Sequence, residues 1–172
     1  MISLCGTVWG RRHGSYLYAI VSDEHVYFGE TGDVPPARWG AHLGSARSSF
    51  SEKLQTKDDG FYLYTSDVVF IGLYCQVIDG IEESRRKVAR RAIEEELHRQ
   101  FLLNKNALPS PKTLLSTPPP PAVRHYFPFN VESVAEQAFR LVVEEYISWI
   151  KRKRNVIFPV THNGAAPSKE IV

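Results

Sequence analysis

Gly14-Ser15-Tyr16-Leu17-Tyr18-Ala19-Ile20-Val21-Ser22-Asp23-Glu24-His25-Val26-Tyr27-Phe28-Gly29 is the stretch on which the fold turns. Tyr16 to Val21 is rich in aromatic and β-branched residues, and Val26-Tyr27-Phe28 is a second short run of the same kind. Ser22-Asp23-Glu24-His25 between them is polar and turn-like, so the segment reads as a β-hairpin. Side chains alternate along a strand, which puts Tyr16, Tyr18 and Ile20 on one face and Leu17 and Ala19 on the other. Facing alone does not separate Tyr16 from Tyr18.

Working outward, Glu30 to Pro36 reads as a loop, and a proline in the first helical turn costs nothing because its missing N–H has no partner there. A helix is expected over roughly Pro36 to Arg47. Arg38 and His42 are four apart and so share one face of it. The start of such a helix leaves free N–H groups and a positive dipole end, both suited to phosphate. Taken singly, two hairpin tyrosines are ordinary sheet formers, and an Arg one turn from a His is an ordinary solvated face; their order and spacing give them interest.

Asp67 to Asp79 is a nearly continuous apolar run bounded by acids, expected to be a central strand covered on both faces. Ile81 to Leu103 is the strongest helical pattern, with Ile93, Leu97 and Phe101 as an apolar stripe and Glu94-Glu95-Glu96 beside it. Hairpin, helix, strand and helix make a small mixed α+β domain over residues 1–106, interrupted by a polar insertion around 45–66. Prolines 109, 111 and 118 to 121 make 107–122 an extended linker. Within 123–172, a C-terminal helical extension and tail, apolar residues recur at threes and fours from Val131 to Lys151.

The chain has 172 residues, 43% of them apolar, and a net charge of +2. That is an ordinary globular composition, too nearly neutral to declare a nucleic-acid partner by itself. Its positive charge is nevertheless clustered, in Arg85-Arg86-Lys87, Arg90-Arg91 and Lys151-Arg152-Lys153-Arg154. Cys5 and Cys75 match no metal-ligand spacing and are expected to be reduced. No apolar stretch approaches the ~20 residues of a membrane span and no leader pattern is visible, so an intracellular, cytoplasmic protein is expected.

Gly14-Ser15-Tyr16, Tyr27-Phe28-Gly29 and Arg38-Trp39-Gly40-Ala41-His42, with Tyr16 eleven positions before Tyr27 and Arg38 eleven after it, resemble the GIY-YIG nuclease family over roughly residues 14–106. Ser15 and Phe28 stand where that family usually has Ile or Val. The resemblance implies a three-stranded antiparallel sheet flanked by helices and a metal-dependent endonuclease hydrolysing DNA phosphodiesters. It further implies Tyr16, Tyr27, Arg38, His42 and Glu94 as catalytic residues. Glu94 would be the ligand of one Mg²⁺ or Mn²⁺ per site, with Glu95 next in preference and Glu96 the third choice.

Such chemistry needs a deprotonated water and neutralised phosphate charge. A hard ion that keeps its waters can be held by one carboxylate, and Arg38 can fork onto phosphate oxygens. Arg85, Arg86, Lys87, Lys151, Arg152, Lys153 and Arg154 are the candidate DNA-binding cations. The stripe of the C-terminal helix suggests a homodimer, and the small size suggests a stand-alone restriction or defence nuclease. Two other readings are a nuclease-like protein that only binds DNA, and a protein-interaction module using the proline run and the C-terminal helix.

Overall fold

The structure, a computed structural model, describes residues 13–44, 67–110, 112–121 and 127–156. The insertion at 45–66, Cys5 and the tail from 157 lie outside the described residues, as do the side chains of 43, 44 and 154–156.

The hairpin forms from β1 (His13–Val21) and β2 (His25–Asp33). Its turn pairs Val21 with Val26, and the register then runs through Ile20 with Tyr27 and Tyr18 with Gly29 to Tyr16 with Thr31. The expected loop after Gly29 is instead strand as far as Asp33, because β1 continues back to His13 and supplies partners. Helix α1 (Pro35–Gly44) follows.

β3 (Val69–Tyr74) pairs antiparallel with β1. It is shorter than the apolar run that announced it, because the chain leaves the sheet at Cys75 and coils into the one-turn helix α2 (Gln76–Asp79), where Ile78 is buried. Nor is it central, since the strand order is β3-β1-β2-β4. Most of β3 is accordingly only half-buried.

The long helix α3 (Glu83–Leu103) and a 3₁₀ turn (Lys105–Ala107) come next. The segment expected to be a linker then returns to the sheet. Thr113–Leu114 form β4, parallel to the start of β2. Pro109 and the prolines from 118 onward flank this pair without interrupting it, so the N–H groups of Thr113 and Leu115 are free to bond Glu24 O and Val26 O, at 2.7 and 2.8 Å. The sheet is therefore four-stranded and mixed, with three antiparallel strands and one parallel, where three antiparallel strands were expected. Leu108, Leu115 and Ser116 are buried, which no free spacer would show.

One face of the sheet, through Leu17, Ala19, Val21, Val26, Phe28 and Ile71, packs on α3 and on α4 (Val131–Val156). The apolar stripe of α4, Val131, Ala135, Ala138, Phe139, Val142 and Tyr146, is consumed by this core. A dimer therefore no longer follows from an uncovered stripe, because the domain has room to cover it. Glu96, fully buried, ties the two helices together: it takes Arg99 Nε on both oxygens and Gln100 Nε2 at 3.0 Å, while Arg99 also reaches Glu132 at 2.6 Å. The other face carries a smaller cluster of Tyr18, Ile20, Tyr27 and Leu115, backed by Trp39, Val68 and Phe70. No helix among the described residues is long and apolar enough to cross a membrane.

Candidate active site

The smaller cluster is where polar chemistry enters the sheet. Tyr18 stands between two glycines on the neighbouring strands, Gly29 and Gly72. Gly72 lets α1 sit down on the sheet: a Cβ there would lie 3.0 Å from Pro35 Cγ and 3.5 Å from Trp39 Cζ2. Gly29 provides the bed for the phenol. A Cβ at that position would fall 2.8 Å from Tyr18 Cε1 and closer still to Cζ and Oη, so the tyrosine lies directly across the glycine backbone.

Laid over Gly29, the Tyr18 ring stacks beside Tyr27 with centroids 6.2 Å apart and brings its Oη to 2.8 Å from His42 Nε2. His42 also meets Tyr27 edge-on at 5.2 Å, and it is 2% exposed, not the solvated residue its helical position would allow. Arg38, one turn earlier, is exposed and near enough to the same phenol to influence its ionisation. A Tyr18 proton directed at His42 fits this arrangement, since the guanidinium nearby can only donate. His42 then has its proton on Nδ1 and accepts at Nε2.

The electrostatics agree with that direction of donation. Burial, reinforced by Arg38, lowers the His42 pKa to about 4, so the imidazole is neutral around pH 7. Burial, with Tyr27 next in size, pushes the Tyr18 phenol well above the ordinary tyrosine range, with Arg38 pulling the other way and Glu94 adding to the rise. Arg38 is itself held more firmly protonated, chiefly by its interaction with Tyr18.

Tyr16, the residue favoured by spacing, is elsewhere. It shares the sheet face with Tyr18 and is as deeply buried, but its ring lies against Tyr74, 5.2 Å between centroids, on the β3 side. The structure thus brings together Tyr18, Tyr27, Arg38 and His42, with Glu94 near enough to act on the Tyr18 phenol. The signal that picks out Tyr18 is present in the sequence. A turn centred on Asp23-Glu24 pairs Val21 with Val26, and stepping along both strands by three puts Tyr18, not Tyr16, opposite Gly29.

Of the three consecutive glutamates, Glu94 and Glu95 are half-buried and Glu96 is committed to Arg99 and Gln100. Among the described residues no three or more His, Cys, Asp or Glu gather as a metal-holding group. A hard divalent ion that retains several waters needs only one or two carboxylates, so Glu94 fits that demand where a zinc site would not.

The basic run on α3 divides by direction. Arg86 is spent on the carbonyls of Ile81 and Asp79, at 3.1 and 2.9 Å, and Arg85 lies over the Phe127 ring at 5.8 Å. Lys87 lines an open groove with Glu30, Arg38, Arg90 and Arg91. At the end of α4, beside the hairpin turn, Arg152 pairs with Glu145 at 2.6 Å, Lys153 binds Asp67 and covers Trp149, and Lys151 is exposed. The Arg154 side chain is outside the described residues. Comparison with family models, curated proteins and solved structures finds no match, and the site stands on its own geometry.

Proposed function

We propose that this chain is a metal-dependent endonuclease that hydrolyses phosphodiester bonds in DNA, with Tyr18 as the proton-relaying residue and Tyr27, Arg38, His42 and Glu94 around it. The observation that carries the reading is the Tyr18 Oη to His42 Nε2 contact of 2.8 Å, with the Arg38 guanidinium close by.

An isolated phenol is a poor base at its ordinary pKa of about 10, and burial makes this one poorer. The pairing with His42 overcomes that difficulty. As Tyr18 Oη takes a proton from the attacking water, its own proton passes to the neutral Nε2 of His42, so the phenol never bears a full negative charge. Hydroxide forms the new bond to phosphorus as the bond to the departing sugar oxygen breaks. Arg38 has N–H groups to fork onto the phosphate, neutralising charge as it grows. Tyr27, edge-on to His42, orients the imidazole. Glu94 would hold the Mg²⁺ or Mn²⁺, which supplies charge for the leaving oxygen when bound. Restriction or defence against foreign DNA is the setting that matches such cutting.

The test is incubation of the purified protein with plasmid DNA, with and without Mg²⁺ or Mn²⁺, read on a gel. Metal-dependent nicking lost in Tyr18→Phe and Glu94→Gln but kept in Tyr16→Phe is the expected result. DNA retention without cutting under both metals would replace this reading by that of a nuclease-like DNA-binding protein.

A further inference from the structure

The groove beside the tyrosine site has a built-in asymmetry. Its walls are the end of β2 (Glu30, Thr31, Gly32, Asp33), the exposed side of α1 (Ala37, Arg38, Ala41) and one side of α3 (Lys87, Arg90, Arg91), around a volume of about 500 Å³. Both acids in that wall are already engaged. Glu30 takes Arg90 Nε at 2.6 Å with Arg91 Nε at 3.9 Å, and Asp33 takes His13 Nδ1 at 2.9 Å. Arg90 is nearly buried in its pair, whereas the Arg91 side chain remains half exposed. The charge that the groove offers to a ligand is therefore that of Arg38, Lys87 and Arg91.

Lys87 and Arg91 are four apart on α3, which stacks them one turn from each other with about 5–6 Å between Cβ atoms. Arg38 faces them from the other wall, next to the Tyr18 phenol. We propose that Lys87 and Arg91 form a second phosphate subsite, which holds the DNA strand at backbone phosphates beyond the one Arg38 binds for cleavage. The enzyme's substrate is then a strand with several consecutive phosphates and not an isolated diester. Glu30, adjacent to Gly29 in β2 and clamped to Arg90, is the positioning residue that fixes the distance between the two subsites. This assignment rests on the nuclease reading, and the basic end of α4, at the hairpin-turn end of the sheet beside Ser22 and Asp23, has no part in it.

Cleavage of a short fluorescein-labelled duplex over a series of KCl concentrations tests it, using wild type, Lys87→Gln, Arg91→Gln, the double variant and Lys151→Gln. Each groove variant is expected to raise KM by about three- to tenfold, leave kcat within about twofold, and make the logarithmic salt slope shallower by about 0.9 for each phosphate it no longer neutralises. Hydrolysis of bis(p-nitrophenyl) phosphate, which has a single phosphodiester, is expected to be unchanged in the double variant. Wild-type KM and salt slope in the double variant would overturn the subsite, as would an equal effect from Lys151→Gln, which removes the same charge toward the hairpin-turn end, away from the groove. Failure of the wild type to cut any DNA would remove the nuclease reading instead. Anisotropy binding of the same duplex in EDTA would then judge the subsite, by the same comparison of salt slopes.

Discussion

Gly29→Ala is the substitution on which the geometry bets most. Gly29 has an ordinary negative φ, so alanine fits the backbone and should gain about 0.4–1 kcal/mol by restricting the unfolded chain. Against that stands the ring of Tyr18, 2.8 Å at Cε1 from the new methyl and 1% exposed, with Tyr27 and His42 beside it. A methyl forced into a packed site of this kind costs about 1–3 kcal/mol. The net expectation is a loss of about 0.5–2 kcal/mol in urea denaturation, together with a fall in cleavage rate of about a hundredfold or more as Oη is pushed off His42. The Tyr18→Ala background reverses the sign: with the ring gone, Gly29→Ala should be neutral or stabilising. If Gly29→Ala costs the same stability in both backgrounds, the claim that Tyr18 lies over this glycine is wrong.

Other outcomes follow from the same geometry. His42 has a lower pKa folded than unfolded, so the unfolded chain binds the extra proton first; the stability His42 contributes is complete above about pH 6.5 and is lost as pH falls towards 4. The loss is bounded by about 3 kcal/mol, to be read as the wild-type minus His42→Gln difference across that range. Cleavage should decline over the same interval, because an imidazolium cannot take the Tyr18 proton. Arg38→Ala should abolish cleavage while shifting Tm little, since an exposed helix-face Arg adds little stability; undiminished cutting would refute its role. Glu96→Gln should do the opposite, lowering Tm by several degrees through its bonds to Arg99 and Gln100 and sparing kcat, and a dead but stable Glu96→Gln would move the metal ligand from Glu94 to Glu96.

The hairpin was legible from two aromatic and β-branched runs about a polar turn, and the long α3 helix and the C-terminal helix from threes and fours about Leu97 and Val142. The end of β3 was not, because Val77 and Ile78 are as apolar as Ile71 and composition does not mark where a strand becomes a helical turn. β4 was hidden for a different reason. Thr113 and Leu114 sit among prolines, and a pair that short joins the sheet through backbone N–H and C=O groups, which leave no pattern in side chains. The helix-face pair Arg38 and His42 could be read from spacing, whereas the choice between two phenols on one face needed the register set by Asp23 and Glu24. Which acid serves α4 and which faces Tyr18 depended on the rotation of α3, settled only by packing.

The bonds that finish the hairpin come from far along the chain. Phe28 N–H donates to Ser116 Oγ at 2.9 Å, and Tyr146 Oη donates to Ser22 O at 3.2 Å. During synthesis the residues of the tyrosine site are thus made first and secured last. Until Ser116 has left the ribosome, the outer edge of β2 has unpaired N–H and C=O groups, and until Tyr146 follows, the core lacks the apolar stripe of α4. A nascent chain in that condition has a hydrophobic hairpin with an open edge, which favours pairing with its neighbours. Slow translation between codons 30 and 146 should therefore lower the soluble yield of this protein more than the same delay placed after α4.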